Sequence, residues 1–130
     1  WGMTAHVLYT AIDAQRPATT SSVVIERIIR GVIGFHGLLL SDDLSMQALG
    51  GSLADRARAA LAAGCDIALH CNGKMEEMAQ VADATAALTP AALDRIARGR
   101  KRLNRRKAPT YGEIAAWQKR LDGLLQPNSV

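Results

Sequence analysis

Three times along this chain a short apolar run of strand length leads into an amphipathic helix, with brief connections between the units. Gly2 to Tyr9 reads as the first strand. Ser21-Ser22, a natural helix N-cap, precedes Ile25, Ile28, Ile29 and Val32 at i, i+3, i+4 and i+7, the apolar period of a helix. Gly34 stops it, as glycine does just past a helix end. Leu38 to Ser41 is the second strand. Ser52-Leu53-Ala54-Asp55 is close to a capping box with Asp in place of Glu; Leu53, Ala57, Ala60 and Leu61 form the buried stripe and Gly64 ends it. Cys65 to Cys71 is the third strand, Asn72-Gly73 a turn, and helical residues run from Lys74 towards Leu88. Thr89-Pro90 opens a further helix with an apolar face of Leu93, Ile96, Ala97 and Leu103. Ala108-Pro109 breaks that pattern, and Thr110-Tyr111-Gly112-Glu113 caps a last helix bearing Ile114, Trp117, Leu121 and Leu124.

Strand then helix, repeated with connections this short, implies parallel strands joined by right-handed crossovers, an α/β fold. Three strands make a sheet too small to hide both faces, and parallel sheets are buried on both sides. The expectation is therefore the last three βα units of a (β/α)8 barrel of the TIM type, a fold of about 250 residues when complete. Residues 1–107 would form that partial barrel and residues 108–130 a C-terminal helical extension. A self-contained three-stranded α/β domain is the alternative, and it needs another chain to cover its edges. The chain opens with Trp1 rather than Met, in keeping with a start in mid-barrel.

The 130 residues are 48% hydrophobic but only 4% aromatic, so a core exists and is built from Ala, Leu, Ile and Val. No apolar run reaches the roughly 20 residues that cross a bilayer, and no charged-then-apolar leader is present. The formal charge of +4 is local, because seven of the sixteen basic residues lie from Arg98 to Lys107 and the other nine face twelve acidic side chains. A solvated helix end accounts for that cluster; arginines that bind nucleic acid are interleaved with aromatic residues, and these are not. Neither nucleic acid nor membrane is an expected partner. Cys65 and Cys71, on one strand, would stand roughly 20 Å apart, beyond disulfide reach. Free thiols fit a reducing, cytoplasmic compartment. Cys71 and His70 are too few for a metal site, and no glycine loop cradles a phosphate, so no metal and no cofactor is expected.

The run Gly37-Leu38-Leu39-Leu40 closes in Ser41-Asp42-Asp43-Leu44. Ending a buried strand in two carboxylates is costly, because ionised groups resist desolvation. Strand ends of parallel α/β folds are also where functional groups gather. Period-two alternation sorts the candidates. Leu38, Leu40 and Asp42 share one face; Gly2, Thr4 and His6 form the polar or small set of the first strand, and Asp66, Ala68, His70 and Asn72 that of the third. The apolar alternates Met3, Ala5 and Val7, and Cys65, Ile67, Leu69 and Cys71, suit helices. Asp42, His6, His70 and Asn72 are thereby expected to converge at the C-terminal mouth, with Asp43 turned away. Plainer roles compete: an N-cap for Asp42, core imidazoles for His6 and His70, a simple turn for Asn72-Gly73. His36 is expected in solvent at the opposite end, and Met46 packed beneath the loop.

Met3-Thr4-Ala5-His6-Val7, Pro17-Ala18-Thr19, and Ile33-Gly34-Phe35 through Gly37-Leu38-Leu39-Leu40-Ser41-Asp42-Asp43-Leu44-Ser45-Met46 together resemble the bacterial β-N-acetylhexosaminidases of glycoside hydrolase family 3. Ala63-Gly64-Cys65-Asp66 and Cys71-Asn72 resemble that family's last barrel strand, and the similarity thins after about Leu103. The resemblance implies a retaining exo-glycosidase that removes terminal N-acetylglucosamine from muropeptide fragments in peptidoglycan recycling. It implies Asp42, directly after the Ser of the motif, as catalytic nucleophile; the alternation adds His6 and His70 as substrate-binding candidates. Such enzymes replace the second carboxylate with a His–Asp dyad on a mobile loop upstream of these residues. The isolated chain is therefore expected to be inactive and to need the N-terminal part of the barrel. The alternatives are a non-catalytic carbohydrate-binding relative on the same scaffold and a module that uses Arg98 to Lys107 against an anionic polymer.

Overall fold

The structure, a computed structural model, describes residues 1–104 and 108–125. Strands β1 (Gly2–Met3), β2 (Leu39–Asp43) and β3 (Ile67–Leu69) form one parallel sheet in the order β1-β2-β3. Between β1 and β2 lie a 3-10 turn (Ala18–Thr20) and a π-helix (Val23–Val32); helix α1 (Leu53–Ala63) joins β2 to β3, and α2 (Met75–Asp83), α3 (Pro90–Asn104) and α4 (Tyr111–Leu125) follow. The chain divides into two compact units, Trp1–Arg100 and Lys101–Val130. The first holds the whole sheet, so the α/β reading with parallel strands is correct.

The helix signals act as written in the sequence. The Ser21 hydroxyl accepts the Val24 N–H at 3.1 Å. Ser52 and Asp55 cap α1 reciprocally, and Gly64 closes it in the left-handed region at φ 113°, where a side chain would also meet Ile25 Cγ2 at 2.9 Å. Thr110 and Glu113 cap each other's backbone at the start of α4. The π-helix departs from expectation. Its Ile33 N–H reaches the Ile28 carbonyl five residues back, at 2.8 Å. Seven residues fall short of two turns of that wider winding, so Val32 leaves the stripe and is 80% exposed while Ile25 stays buried.

The outer strands are shorter than their apolar runs. One ladder bond follows Met3, from Thr4 N–H to the Leu40 carbonyl at 2.9 Å. Beyond it the Val7 carbonyl accepts from Ala18 and leaves the sheet. β2 carries an extra residue against β3: Leu40 pairs with Ile67 but Asp43 with Leu69, a bulge that breaks simple alternation. The Ser41 hydroxyl, fully buried, accepts the Leu69 N–H at 2.9 Å and so fills the gap in the ladder.

Leu39, Leu44, Ile25, Ala57, Ala60 and Cys65 meet in the core between sheet and helices, with Ala68 and Phe35 packed against it. Below it lies an ion triad. Asp66, whose side chain is 4% exposed, accepts from Arg30 at 3.1 Å and Arg95 at 2.5 Å, and from the Leu39 N–H at 2.9 Å. The inner face of α3 is consequently Ala92 and Arg95; Leu93 and Leu103, expected on an apolar face, are exposed. Lys101 and Arg102 occupy the last turn of α3, while Arg105, Arg106 and Lys107 of the basic cluster lie outside the described residues. In the second unit Ile114, Trp117, Leu121 and Leu124 are all exposed on α4.

Candidate active site

Leu39 and Ser41 of β2 are buried on the helix side, whereas Leu40 and Asp42 are half-buried on the more open face of the sheet. That face also carries Met3, 56% exposed, and the half-buried Ile67 and Leu69. For β2 the expected alternation is therefore right. For β1 and β3 it is inverted. Thr4 is buried and its hydroxyl meets that of Thr19 at 2.9 Å; Asp66 turns to Arg30 and Arg95; Ala68 packs on the core. Thr4 and Asp66 found partners among the helices and loops, so polarity did not mark the open face.

As a result His6 and His70 converge on Asp43, not on Asp42, which corrects the expected mouth of Asp42, His6, His70 and Asn72. His6 Nδ1 lies 2.8 Å from Thr19 Oγ1, and its Nε2 lies 2.9 Å from the Asp43 carbonyl. The His70 side chain is 4% exposed, with Nδ1 4.0 Å from Asp43 Oδ1 and Nε2 3.6 Å from Glu77 Oε2. Neither ring nitrogen has a hydrogen-bond partner among the described residues. Asn72 donates to Glu77 and accepts the Lys74 N–H at 2.9 Å, closing the turn into α2. His36 is exposed as expected; Met46 is exposed rather than packed beneath the loop.

The two adjacent carboxylates differ sharply. Asp43 Oδ1 accepts the N–H groups of Ser45 at 3.0 Å and Cys71 at 3.1 Å, and Oδ2 accepts the Ser45 hydroxyl at 2.6 Å. The Ser45 hydroxyl above all, then the two N–H groups and His70, hold this carboxyl below its ordinary value against the opposing pull of desolvation. Asp43 thus ties the end of β2 to the end of β3. Asp42 accepts only the Asp43 N–H, at 2.9 Å, among the described residues. Its second oxygen has no protein donor among the described residues, so this carboxylate keeps the valence that a nucleophile or base requires.

Thr4, Thr19, Ser45 and Arg56 were not foreseen as parts of the site. Arg56 donates to the Leu44, Met46 and Gly51 carbonyls at 2.8, 3.1 and 3.1 Å, pinning the loop after Asp43 to α1. Nothing in their spacing announced these contacts, which join residues 10 to 38 positions apart or lie within five. A cavity of about 490 Å³ between Arg16, Leu49, Arg56 and Ala59 includes neither Asp42 nor a histidine, and the chemistry points to the open sheet face instead.

A parallel α/β sheet whose middle strand ends in two carboxylates, one with an oxygen left without a donor among the described residues, is the strand-end arrangement at which α/β folds gather functional groups. Residues 2–104 match the glycosyl hydrolase family 3 N terminal domain, and the chain belongs to that family. It is 42% identical over 123 residues to a β-hexosaminidase of Thioalkalivibrio sulfidiphilus, covering 90% of this chain and 34% of the relative. It is 47% identical over 74 residues to a β-hexosaminidase of Tolumonas auensis, covering 55% and 22%. Among solved structures it is similar to NagZ from Neisseria gonorrhoeae in complex with N-trifluoroacetyl-D-glucosamine, with TM-score 0.65, 31% identity, and 95% of this chain against 37% of that one covered. A family 3 β-N-acetylglucosaminidase from Paenibacillus gives TM-score 0.66 at 29% identity over 83% of this chain and 23% of that one. The chain thus spans only a fifth to a third of the length of these curated relatives.

Proposed function

We propose that this chain is the nucleophile-bearing part of a retaining, exo-acting β-N-acetylhexosaminidase, and that Asp42 is the nucleophile. The observation that carries the reading is the contrast at the end of β2: Asp43 is consumed by three hydrogen bonds, while one Asp42 oxygen has no donor among the described residues. The Asp42 carboxylate attacks the anomeric carbon of a terminal N-acetylglucosamine as the glycosidic C–O bond breaks, and an acid outside this chain protonates the leaving oxygen. Water then cleaves the glycosyl ester and frees Asp42. In this reading residues 1–107 are the last three βα units of a (β/α)8 barrel and 108–130 a helical extension. Met3, Leu40, Ile67 and Leu69 would then be interior side chains, the large apolar kind that fills such barrels. Of His6 and His70, expected as sugar contacts, His6 holds the Asp43 carbonyl and His70 lies beside the Asp43 carboxylate. The unpaired thiols favour a cytoplasmic setting, and the names of the relatives favour an N-acetylglucosamine-containing substrate, here a muropeptide of peptidoglycan recycling.

The test sets this chain in place of the matching 34% of the Thioalkalivibrio sulfidiphilus enzyme and follows release of 4-nitrophenol from 4-nitrophenyl N-acetyl-β-glucosaminide. Turnover is expected, falling on the order of 10⁴-fold or more in Asp42→Ala. Undiminished turnover in Asp42→Ala refutes the assignment. Saturable sugar binding by a folded chimera without turnover replaces it with the non-catalytic carbohydrate-binding reading.

A further inference from the structure

We propose that Thr4, Thr19 and His6 form a hydrogen-bonded relay that positions the Asp42-Asp43 peptide, and with it the carboxylate of Asp42; the proposal rests on Asp42 being the nucleophile. The relay begins at the Asp42 N–H, which donates to Thr4 Oγ1 at 3.3 Å. Thr4 Oγ1 meets Thr19 Oγ1 at 2.9 Å, Thr19 Oγ1 meets His6 Nδ1 at 2.8 Å, and His6 Nε2 meets the Asp43 carbonyl at 2.9 Å. The chain of contacts therefore leaves the backbone just before Asp42 and returns to it just after Asp43.

Its hydrogens are determined by chemistry. A carbonyl only accepts, so His6 Nε2 carries the proton. In the neutral ring Nδ1 is then bare and accepts from the Thr19 hydroxyl. Thr19 in turn accepts from Thr4, and Thr4 accepts from the Asp42 N–H. Each hydroxyl donates once and accepts once, and Thr4 and Thr19 are both buried, where an unsatisfied hydroxyl is costly.

The relay stands where the sheet fails. On the β1 side of β2 the ladder ends at the Thr4 N–H bond to Leu40, and on the β3 side the bulge interrupts it between Leu40 and Asp43. The Asp42 N–H and the Asp43 carbonyl have no strand neighbour; Thr4 takes the first, and His6 shares the second with the Met46 N–H at 3.1 Å. A carboxylate attacking carbon must be placed closely, since a displacement of about 1 Å costs on the order of 10²-fold in rate. Thr4, Thr19 and His6 are accordingly positioning residues; none reaches the carboxylate itself.

Two experiments test this. Long-range ¹H–¹⁵N NMR of the 130-residue chain, at a pH where the imidazole is neutral, is expected to show the Nε2–H tautomer of His6, and to show it lost or mixed in Thr19→Val. An Nδ1–H tautomer in the parent, or a spectrum unmoved by Thr19→Val, overturns the relay without any activity being measured. In the completed barrel, Thr19→Val is expected to lower kcat by about 10- to 10²-fold with KM within about 2-fold, and Thr19→Ser to restore it. His6→Gln, whose amide keeps a donating NH₂ and an accepting carbonyl, is expected to retain more kcat than His6→Leu. Wild-type kcat in Thr19→Val, with Asp42→Ala inactive, sinks the relay and leaves the nucleophile standing; full turnover in Asp42→Ala sinks the nucleophile instead.

Discussion

Removing the Asp66 carboxylate is the sharpest test of how the sheet is held. Its side chain is 4% exposed and satisfies Arg30, itself 9% exposed, Arg95, 25% exposed, and the Leu39 N–H. Breaking a buried ion pair by deleting one partner costs about 3–5 kcal/mol. Two features of this triad set the value within that range. Arg30 keeps the Phe35 and Gly37 carbonyls at 2.9 and 2.7 Å, and Arg95 can turn to solvent, which both soften the loss. The Leu39 N–H, however, is left without an acceptor inside the sheet, adding about 1–3 kcal/mol. Asp66→Ala is therefore expected to cost about 4 kcal/mol. For a unit of 100 residues each kcal/mol moves the midpoint by about 4–8 °C, so thermal unfolding followed by circular dichroism should fall by roughly 15–30 °C. Asp66→Asn, which keeps an acceptor for Leu39 but loses the charge, should lose about half as much. An Asp66→Ala variant within about 1 kcal/mol of the parent would mean that solvent reaches the triad and that the helix layer is not anchored to β3 in this way.

Asp43 gives a pH test with a definite sign. Its carboxyl is held below the ordinary 3.8 in the folded chain, chiefly by the Ser45 hydroxyl; the stability it contributes is fully present above 3.8 and is lost as pH falls through its lower folded value. Ser45→Ala should move the Asp43 midpoint up towards 3.8 by carboxyl ¹³C NMR, and an unmoved midpoint would show that the hydroxyl does not hold it. The two thiols should separate by reactivity. Cys71 is exposed and Cys65 buried, with burial pushing the Cys65 thiol up to about 11, so a disulfide reagent at neutral pH should titrate one thiol in the native chain and both in denaturant. Two fast-reacting thiols in the native chain would contradict the core described around Cys65.

Element order was readable because its signals are local. The Ser52-Asp55 box, the Thr110-Glu113 box and the Gly64 stop each act within four residues and work the same way whatever surrounds them. The position of Asp42 on the open face was readable for a similar reason: among the described residues β2 is the one strand with neighbours on both sides, and its alternation holds from Leu39 to Asp42. The faces of β1 and β3 were not readable. Sorting Thr4, His6, Asp66 and His70 by polarity assumes that polar side chains seek water, but a buried polar group is equally stable once it is paired. Thr19, Arg30 and Arg95 are such partners, brought in from positions 13 to 36 residues away. The extra residue of β2 was hidden too, since a bulge exists only relative to the strand it faces. At the end of β2 the same fact separates the two aspartates: both Asp43 oxygens have donors, and one Asp42 oxygen has none among the described residues.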